Sequence, residues 1–265
     1  MDSRENLLYL ALKYKGDWNP IYEDISNHAE IDDDEAKKLI ESVNSNYITI
    51  LDEEYPESLK NAYKPPFVLF YHGDISLLND KNNKIAVVGS RKHSKYGKEM
   101  TQTLVKGIAK DFVIISGMAL GIDAIAHRAA IENGGKTVGV LGNGINFHYL
   151  EENKDIYEEC KKKHLVISEY PDMTPPNPAC FPIRNRIIAG LCNNLLVTEG
   201  KVKSGTQITA LLMVQKSGNV CCVPTRAGED SICNHLIKEG AYLVETVEDI
   251  YLYTGVSPQK PIFEK

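Results

Sequence analysis

The sequence predicts an α/β protein: an extended Rossmann-like, doubly wound and mostly parallel sheet, preceded by a small N-terminal helical domain. Three observations carry this. Short apolar runs recur from Lys84 onward, at residues 85–88, 112–115, 138–141, 165–167, 195–197, 220–223 and 242–244. Each is continuous rather than alternating, the pattern of a strand covered on both faces. Stretches of helical patterning separate them, as the crossovers of a parallel sheet require.

The elements follow in order. Residues 1–50 carry helical patterning, with Leu7, Leu8, Leu10, Ala11 and Leu12, then Ala36, Leu39, Ile40 and Val43. Asp32, Asp33, Asp34 and Glu35 suit a helix start, where carboxylates meet the positive end of the helix dipole. Residues 51–83 read as a linker and cover segment, broken by Tyr55-Pro56 and Pro65-Pro66. Residues 84–255 make the Rossmann-like domain, and 256–265, with Pro258 and Pro261, a tail. The helix at 208–214, with Leu211, Leu212 and Met213, is expected to be packed core.

Composition excludes several classes. The chain has 265 residues, 43% hydrophobic and 25% charged, with a formal net charge of −6. These are ordinary values for a globular protein and rule out a collagen, a disordered tail or a disulfide-knot scaffold. The longest apolar stretch, 112–130, is cut by Asp123, His127 and Arg128, so no membrane span is expected. The first five residues, Met1 to Glu5, lack the basic-then-apolar pattern of a secretory signal, and the expected compartment is the cytoplasm. Six cysteines form no C-x-x-C pair, so no zinc or other metal site is expected. They read as reduced, mostly buried thiols. Cys221 and Cys222 should point to opposite faces of a strand.

In an open α/β sheet, ligands bind beyond the carboxyl ends of the strands. Those ends carry an unusual set of residues here. The first strand is followed by Gly89, Ser90 and Arg91, then Lys92, Lys95 and Lys98; the second by Ser116, Gly117 and Gly121. Phe147 and Tyr149 follow the third, and Phe181, Arg184 and Arg186 come after the fourth. Lys201, Lys203, Ser204, Gly205 and Thr206 follow the fifth. Glycine allows close backbone approach, and helix N-termini expose N–H groups that attract anions. With the cations on the same rim, this makes a phosphate-binding surface. An acidic net charge does not oppose it, because net charge does not locate charge. Neither G-x-G-x-x-G nor G-x-x-x-x-G-K-[ST] is present, so no dinucleotide or P-loop cofactor is expected.

Several of these residues have a second reading. Arg184 and Arg186, near a helix start, need either an external anion or an internal carboxylate such as Asp123 or Glu199. Phe147, Tyr149 and Phe181 either stack bases or pack in the core. Asp123 and His127, four apart, share a helix face and make either an acid–base pair or, the reading preferred, a helix-terminal carboxylate beside an imidazole.

Gly89-Ser90-Arg91, Ser116-Gly117-x-Ala119-x-Gly121-Ile122-Asp123, Phe181-Pro182-x-Arg184-Asn185-Arg186-Ile187-Ile188-x-Gly190-Leu191 and Ser204-Gly205-Thr206 occur in order. Together, over about Tyr55 to Ile250, they closely resemble the DNA-processing protein A (DprA/Smf) family. The resemblance implies a single-stranded DNA-binding recombination mediator that forms homodimers. It implies protection of incoming DNA and loading of a RecA-type recombinase during natural transformation. Gly89, Ser90 and Arg91 would then hold a DNA phosphate, and residues 1–50 would correspond to a domain similar to a sterile-alpha-motif fold. Where many members carry a basic residue after the third strand, Tyr149 is followed by Leu150, Glu151 and Glu152, leaving Lys154 as the nearest candidate. Many members also end in a winged-helix domain, which is not expected in a sequence of this length.

The rival reading is an enzyme of the related lysine-decarboxylase-like phosphoribohydrolases, whose P-G-G-x-G-T-x-x-E block supplies a glutamate. Thr209 stands where that glutamate would be, and a hydroxyl cannot replace a carboxylate in glycosidic chemistry. No catalytic residue is therefore assigned. Glu199 is the nearby carboxylate whose direction bears on this.

Overall fold

The computed structural model describes residues 1–258. Its first helices are set by their caps. Asp2, Asp17 and Asp32 each accept a first-turn N–H with a side-chain oxygen, starting α1 (Ser3–Lys13), α2 (Trp18–Ser26) and α3 (Asp33–Glu41). The chain then forms β1 (Asn46–Thr49), the short α4 (Glu57–Lys60) and β2 (Val68–Gly73). The alternating part follows: β3 (Lys84–Gly89), α5 (Lys95–Ile108), β4 (Val113–Ser116), α6 (Ile122–Glu132), β5 (Lys136–Val140), α7 (Lys154–Lys163) and β6 (Leu165–Ser168). It continues as α8 (Cys180–Leu191), β7 (Asn194–Glu199), α9 (Gly205–Gln215), β8 (Asn219–Cys222), α10 (Ile232–Lys238), β9 (Tyr242–Leu243) and α11 (Val247–Thr254).

All the strands lie in one sheet of order β1-β2-β6-β5-β4-β3-β7-β8-β9. The seven from β6 to β9 are parallel, and β2 joins β6 antiparallel, with β1 antiparallel beyond it. This is the expected mostly parallel α/β architecture, doubly wound about β3. Strands β4 to β6 build outward on one side and β7 to β9 on the other. The switch point therefore lies between β3 and β7, whose carboxyl ends Gly89 and Glu199 stand side by side.

Strand residues alternate between two cores. Ile85, Val87, Ile114, Leu196 and Cys221 pack with Leu104 and Ile108 of α5 and Ala126 of α6. Ala86, Val88, Ile115, Val197 and Cys222 pack with Ile187 and Ile188 of α8 and Met213 of α9. Cys221 and Cys222 thus fall on opposite faces, as period-two geometry demands. All six cysteines are free thiols, five buried and Cys180 partly exposed.

Two expectations are corrected. The segment 51–83 is more than a linker, because β2 sits inside the sheet between β1 and β6. Leu8, Leu10 and Ala36 of the helical region share a core with Val68 and Phe70 of β2 and Ile156 and Cys160 of α7. The helical region and the sheet are thus joined by a common core rather than a tether. Second, α9 is not packed core all round. Ala210 and Met213 are buried, but Ile208, Leu211 and Val214 are 38%, 47% and 55% exposed, a stripe on the outer face. Of the tail, residues 259–265 lie outside the described residues. No helix among the described residues is long and apolar enough to cross a membrane.

Candidate nucleic-acid interface

The crevice at the switch point encloses about 450 Å³. Its walls are the β3–α5 loop (Gly89, Ser90, Arg91), the start of α8 (Phe181, Pro182, Arg184, Asn185) and the β7–α9 loop (Lys201, Ser204, Gly205, Thr206). Three of the expected segments are therefore brought together by topology.

The rim cation is Arg91. It is exposed, and its guanidinium lies 5.5 Å from the centre of the Phe181 ring. Lys201 is exposed on the opposite wall. Ser204 caps α9 by position but not by side chain: its hydroxyl donates to the Lys201 carbonyl (2.6 Å). The first-turn amides of α9 are thus left without a side-chain acceptor, and Gly205 and Thr206 line the crevice. An open helix N-terminus of this kind favours an anion. Asn185 braces it by donating to the Gly205 carbonyl (3.2 Å).

The floor is buried. Arg184 is 4% exposed and donates to the carbonyls of Gly117 (2.6 Å) and Val140. Burial pulls its pKa down to about 10, a shift that the neighbouring Asp123 opposes and Arg91 reinforces. Asp123 is buried too, which raises its pKa against the pull of Arg184, and it accepts from the Gly117 N–H (3.2 Å). Arg184 faces the crevice from below as an already partnered charge.

The structure places several of the expected residues away from the crevice. Arg186 points away from the crevice into a buried pair with Glu169, at 2.7 and 2.5 Å, and also donates to the Lys64 carbonyl (2.8 Å). Its internal partner is neither Asp123 nor Glu199. Ser116 is fully buried and donates to the Val87 carbonyl (2.6 Å), while both polar groups of the Gly117 backbone are consumed by Asp123 and Arg184. Gly121 serves the rim indirectly. Its φ is +81° and a Cβ there would lie 2.2 Å from the Ser90 carbonyl, so only glycine lets α6 start against the Arg91 loop. Lys92 is exposed beside Arg91 but outside the crevice, and Lys203 lies outside it as well. Lys154 pairs with Glu151 (3.1 Å), away from the crevice. Asp123 and His127 do not pair, because His127 bonds Thr137 (2.7 Å) instead.

A second, more apolar cavity of about 170 Å³ adjoins the first and shares Arg91, Tyr149 and Phe181 with it. Phe147 lines this cavity alone. Tyr149 and Phe181 stand 5.5 Å apart, and Tyr149 is 46% exposed. Tyr149 is the exposed ring at the mouth, Phe181 is half-buried beside it under the Arg91 guanidinium, and Phe147 is a half-buried wall.

Four residues of the site have roles that sequence reasoning did not assign. Asn143 donates to the Phe147 carbonyl (2.7 Å), and Asn153 to the Met118 carbonyl (2.9 Å). Asn185 braces α9 as described. Glu199 turns from the crevice to the start of α5, where it accepts from the Ser94 N–H at 2.9 and 3.1 Å. A strand-end position beside the switch point was the available signal for Glu199; Asn185 stands inside the Phe181 to Leu191 motif, and Asn143 and Asn153 had no signal beyond their proximity to motifs. No group of three His, Cys, Asp or Glu side chains among the described residues is placed to hold a metal ion.

Comparison with known proteins fits this geometry. The family model for DNA recombination-mediator protein A matches residues 46–254. The chain is 40% identical over 228 residues to DNA processing protein DprA of Streptococcus pneumoniae, covering 85% of this chain and 79% of that one. It is 40% identical over 209 residues to DprA of Bacillus subtilis, covering 78% and 70%. The solved structure of the S. pneumoniae protein superposes with a TM-score of 0.79 at 36% identity, over 94% of this chain and 92% of that chain. DNA processing protein A from Helicobacter pylori, whose structure is described for its single-stranded DNA-binding mode, gives 0.71 at 29% identity, over 78% and 94%. With a matching family model over most of its length and the switch-point crevice built from the expected loops, the chain belongs to the DNA recombination-mediator protein A (DprA/Smf) family.

Proposed function

We propose that the chain binds single-stranded DNA along the switch-point crevice and acts without catalysis as a recombination mediator. Phosphates sit on Arg91, Lys201 and the open N-terminus of α9, with Ser90 and Thr206 beside them; bases lie against Tyr149 and Phe181. The observation that carries this reading is the crevice itself. It combines two exposed cations and uncapped amides with stacking rings, and its one acidic wall residue, Asp123, is buried against Arg184. Phosphate contacts position a strand without reading its sequence, so base preference is weak. The S. pneumoniae and B. subtilis relatives, and the strand-binding description of the H. pylori protein, support the same reading.

The finer role we propose is the one the family resemblance implies: protection of incoming DNA and loading of a RecA-type recombinase in natural transformation, in the cytoplasm. A homodimer would align two crevices and raise avidity. The exposed stripe on α9 and the exposed Tyr242 and Leu243 of the edge strand β9 are among the exposed apolar groups that could serve such contacts. The domain reading adapts accordingly: a helical region docked on the sheet through β1 and β2, then the DNA-binding core.

The enzyme reading is disfavoured by two side chains. Thr209 donates to the Gly205 carbonyl (3.3 Å), and the Glu199 carboxylate is engaged by Ser94. A salt-titrated binding assay with single-stranded and duplex oligonucleotides tests the proposal. Tighter binding of the single strand, with the logarithm of the affinity falling linearly in log salt, is expected. Equal affinity for duplex, or steady release of free base from nucleoside monophosphates, would overturn it.

A further inference from the structure

One residue holds both ends of the loop that presents Arg91. The Glu199 carbonyl accepts from the Ser90 N–H (2.9 Å). The Glu199 carboxylate accepts from the Ser94 N–H (2.9 and 3.1 Å) and the Ser94 hydroxyl (3.1 Å). Ser94 in turn accepts from the Gly97 N–H (3.0 Å), capping α5. Between the anchors, Arg91 and Lys92 are exposed. The carboxylate fits its place without slack: a Cβ on Gly97 would lie 1.8 Å from a Glu199 carboxylate oxygen.

Two physical consequences follow. A loop already fixed pays no ordering entropy when a strand arrives, so the clamp raises affinity without adding a contact. A carboxylate at the start of α5 is stabilised by the helix dipole and repels a phosphate from that end. Of the two helix starts flanking β3 and β7, only that of α9 is then left open to the strand.

We propose that Glu199 is a positioning residue that clamps the 90–94 loop, holding Arg91 ready over the crevice and excluding phosphate from the start of α5. This rests on the single-stranded DNA reading above.

The test is equilibrium binding of a fluorescent oligothymidylate to the full chain across a salt series, with thermal melts alongside. The set comprises wild type, Arg91→Ala, Glu199→Ala, Glu199→Gln, Gly97→Ala and the double variant Arg91→Ala/Glu199→Ala. Arg91→Ala is expected to weaken binding about tenfold or more, the loss of one charge-assisted contact. Glu199→Ala and Gly97→Ala are expected to weaken it by about fivefold or more. Both should leave the log–log salt slope close to the wild-type value, because Arg91 still meets its phosphate once the loop has been ordered. The double variant should bind no more weakly than Arg91→Ala alone, because the clamp acts through Arg91. Glu199→Gln should recover part of the affinity, since its amide oxygen still accepts from the Ser94 N–H. Should Glu199→Ala not fold, Gly97→Ala and Ser94→Ala, which leave Glu199 in place, carry the same comparison. Wild-type affinity in the clamp variants, a salt slope lowered by a full phosphate contact, additivity with Arg91→Ala, or tighter binding by Glu199→Ala would each overturn the clamp. An Arg91→Ala variant that binds like wild type would instead overturn the site itself.

Discussion

Arg186 and Glu169 form a two-pronged ion pair in the interior, with the two side chains only 5% and 4% exposed. The pair joins α8 to the residue after β6, and Arg186 also holds the Lys64 carbonyl. It therefore fastens the segment leading into β2 onto the sheet. Removing one partner of such a pair leaves a bare buried charge, which costs about 3–5 kcal/mol. Arg186→Leu should lower the melting temperature steeply, while the folded fraction binds single-stranded DNA as wild type does. A selective loss of DNA affinity at unchanged stability would return Arg186 to the rim.

Arg91 should behave in the opposite way. It is exposed and its guanidinium packs only over the Phe181 ring, a contact worth about 0.5–1 kcal/mol at an open site. Arg91→Ala should leave calorimetric stability within about 1 kcal/mol of wild type while weakening strand binding. A large fall in melting temperature would show that the loop needs Arg91 for its own structure.

The lysines should separate by position. Lys201 lines the crevice, Lys203 lies outside it, and Lys154 is paired with Glu151. Substituting Lys201 by alanine should reduce the salt slope by about 0.7. The same change at Lys154 should leave the slope intact. Identical slopes for the two variants would mean that general charge, not the crevice, governs binding.

Acid should destabilise the fold through His127. Its ring is buried between α6 and β5, with Nδ1 bonded to Thr137 and Nε2 unpartnered. Burial pushes its pKa down to about 3, and His164 is lowered in the same direction, also by burial. A depressed histidine pKa means that the unfolded chain binds the extra proton. Stability is therefore full above the unfolded value near 6.5 and declines as pH falls from there towards 3. For His127 alone the loss at pH 5 is about 2 kcal/mol. Denaturant melts between pH 8 and 5 should show this slope, and His127→Leu should flatten it. An unchanged slope in that variant would exclude His127 as its source.

The glycine at 121 offers a check on the backbone. Alanine there meets both the positive φ and the Ser90 carbonyl at 2.2 Å. Gly121→Ala should cost more than about 1 kcal/mol in stability and weaken strand binding by displacing the Arg91 loop. Retention of both properties would mean that the α6 start can shift without disturbing the loop.

Much of the architecture was legible in the chain because burial on both faces leaves a mark in the sequence. Continuous runs such as Ile85-Ala86-Val87-Val88 and Leu195-Leu196-Val197 announce parallel strands, and the residues just beyond them must lie at one edge of the sheet. The glycine, hydroxyl and basic residues of the rim were therefore readable as a group. Strand β2 was not, because Pro65 and Pro66 just ahead of Val68 to Gly73 mask a strand that pairs with the distant β6 as well as with β1.

What the chain could not announce was direction. Arg184 and Arg186 are two residues apart on α8, roughly 200° around a helix, so one faces the crevice and the other the Glu169 pocket. Glu199 carries the same charge wherever it points, and only the α5 N-terminus beside it turns it from candidate base into loop anchor. Ile208, Leu211 and Val214 read as apolar from composition alone, yet no element of the described chain covers them. The order of amino acids determined which chemistry reaches the strand ends; tertiary packing decided which charges stay free, because each buried charge takes the nearest partner before a ligand can.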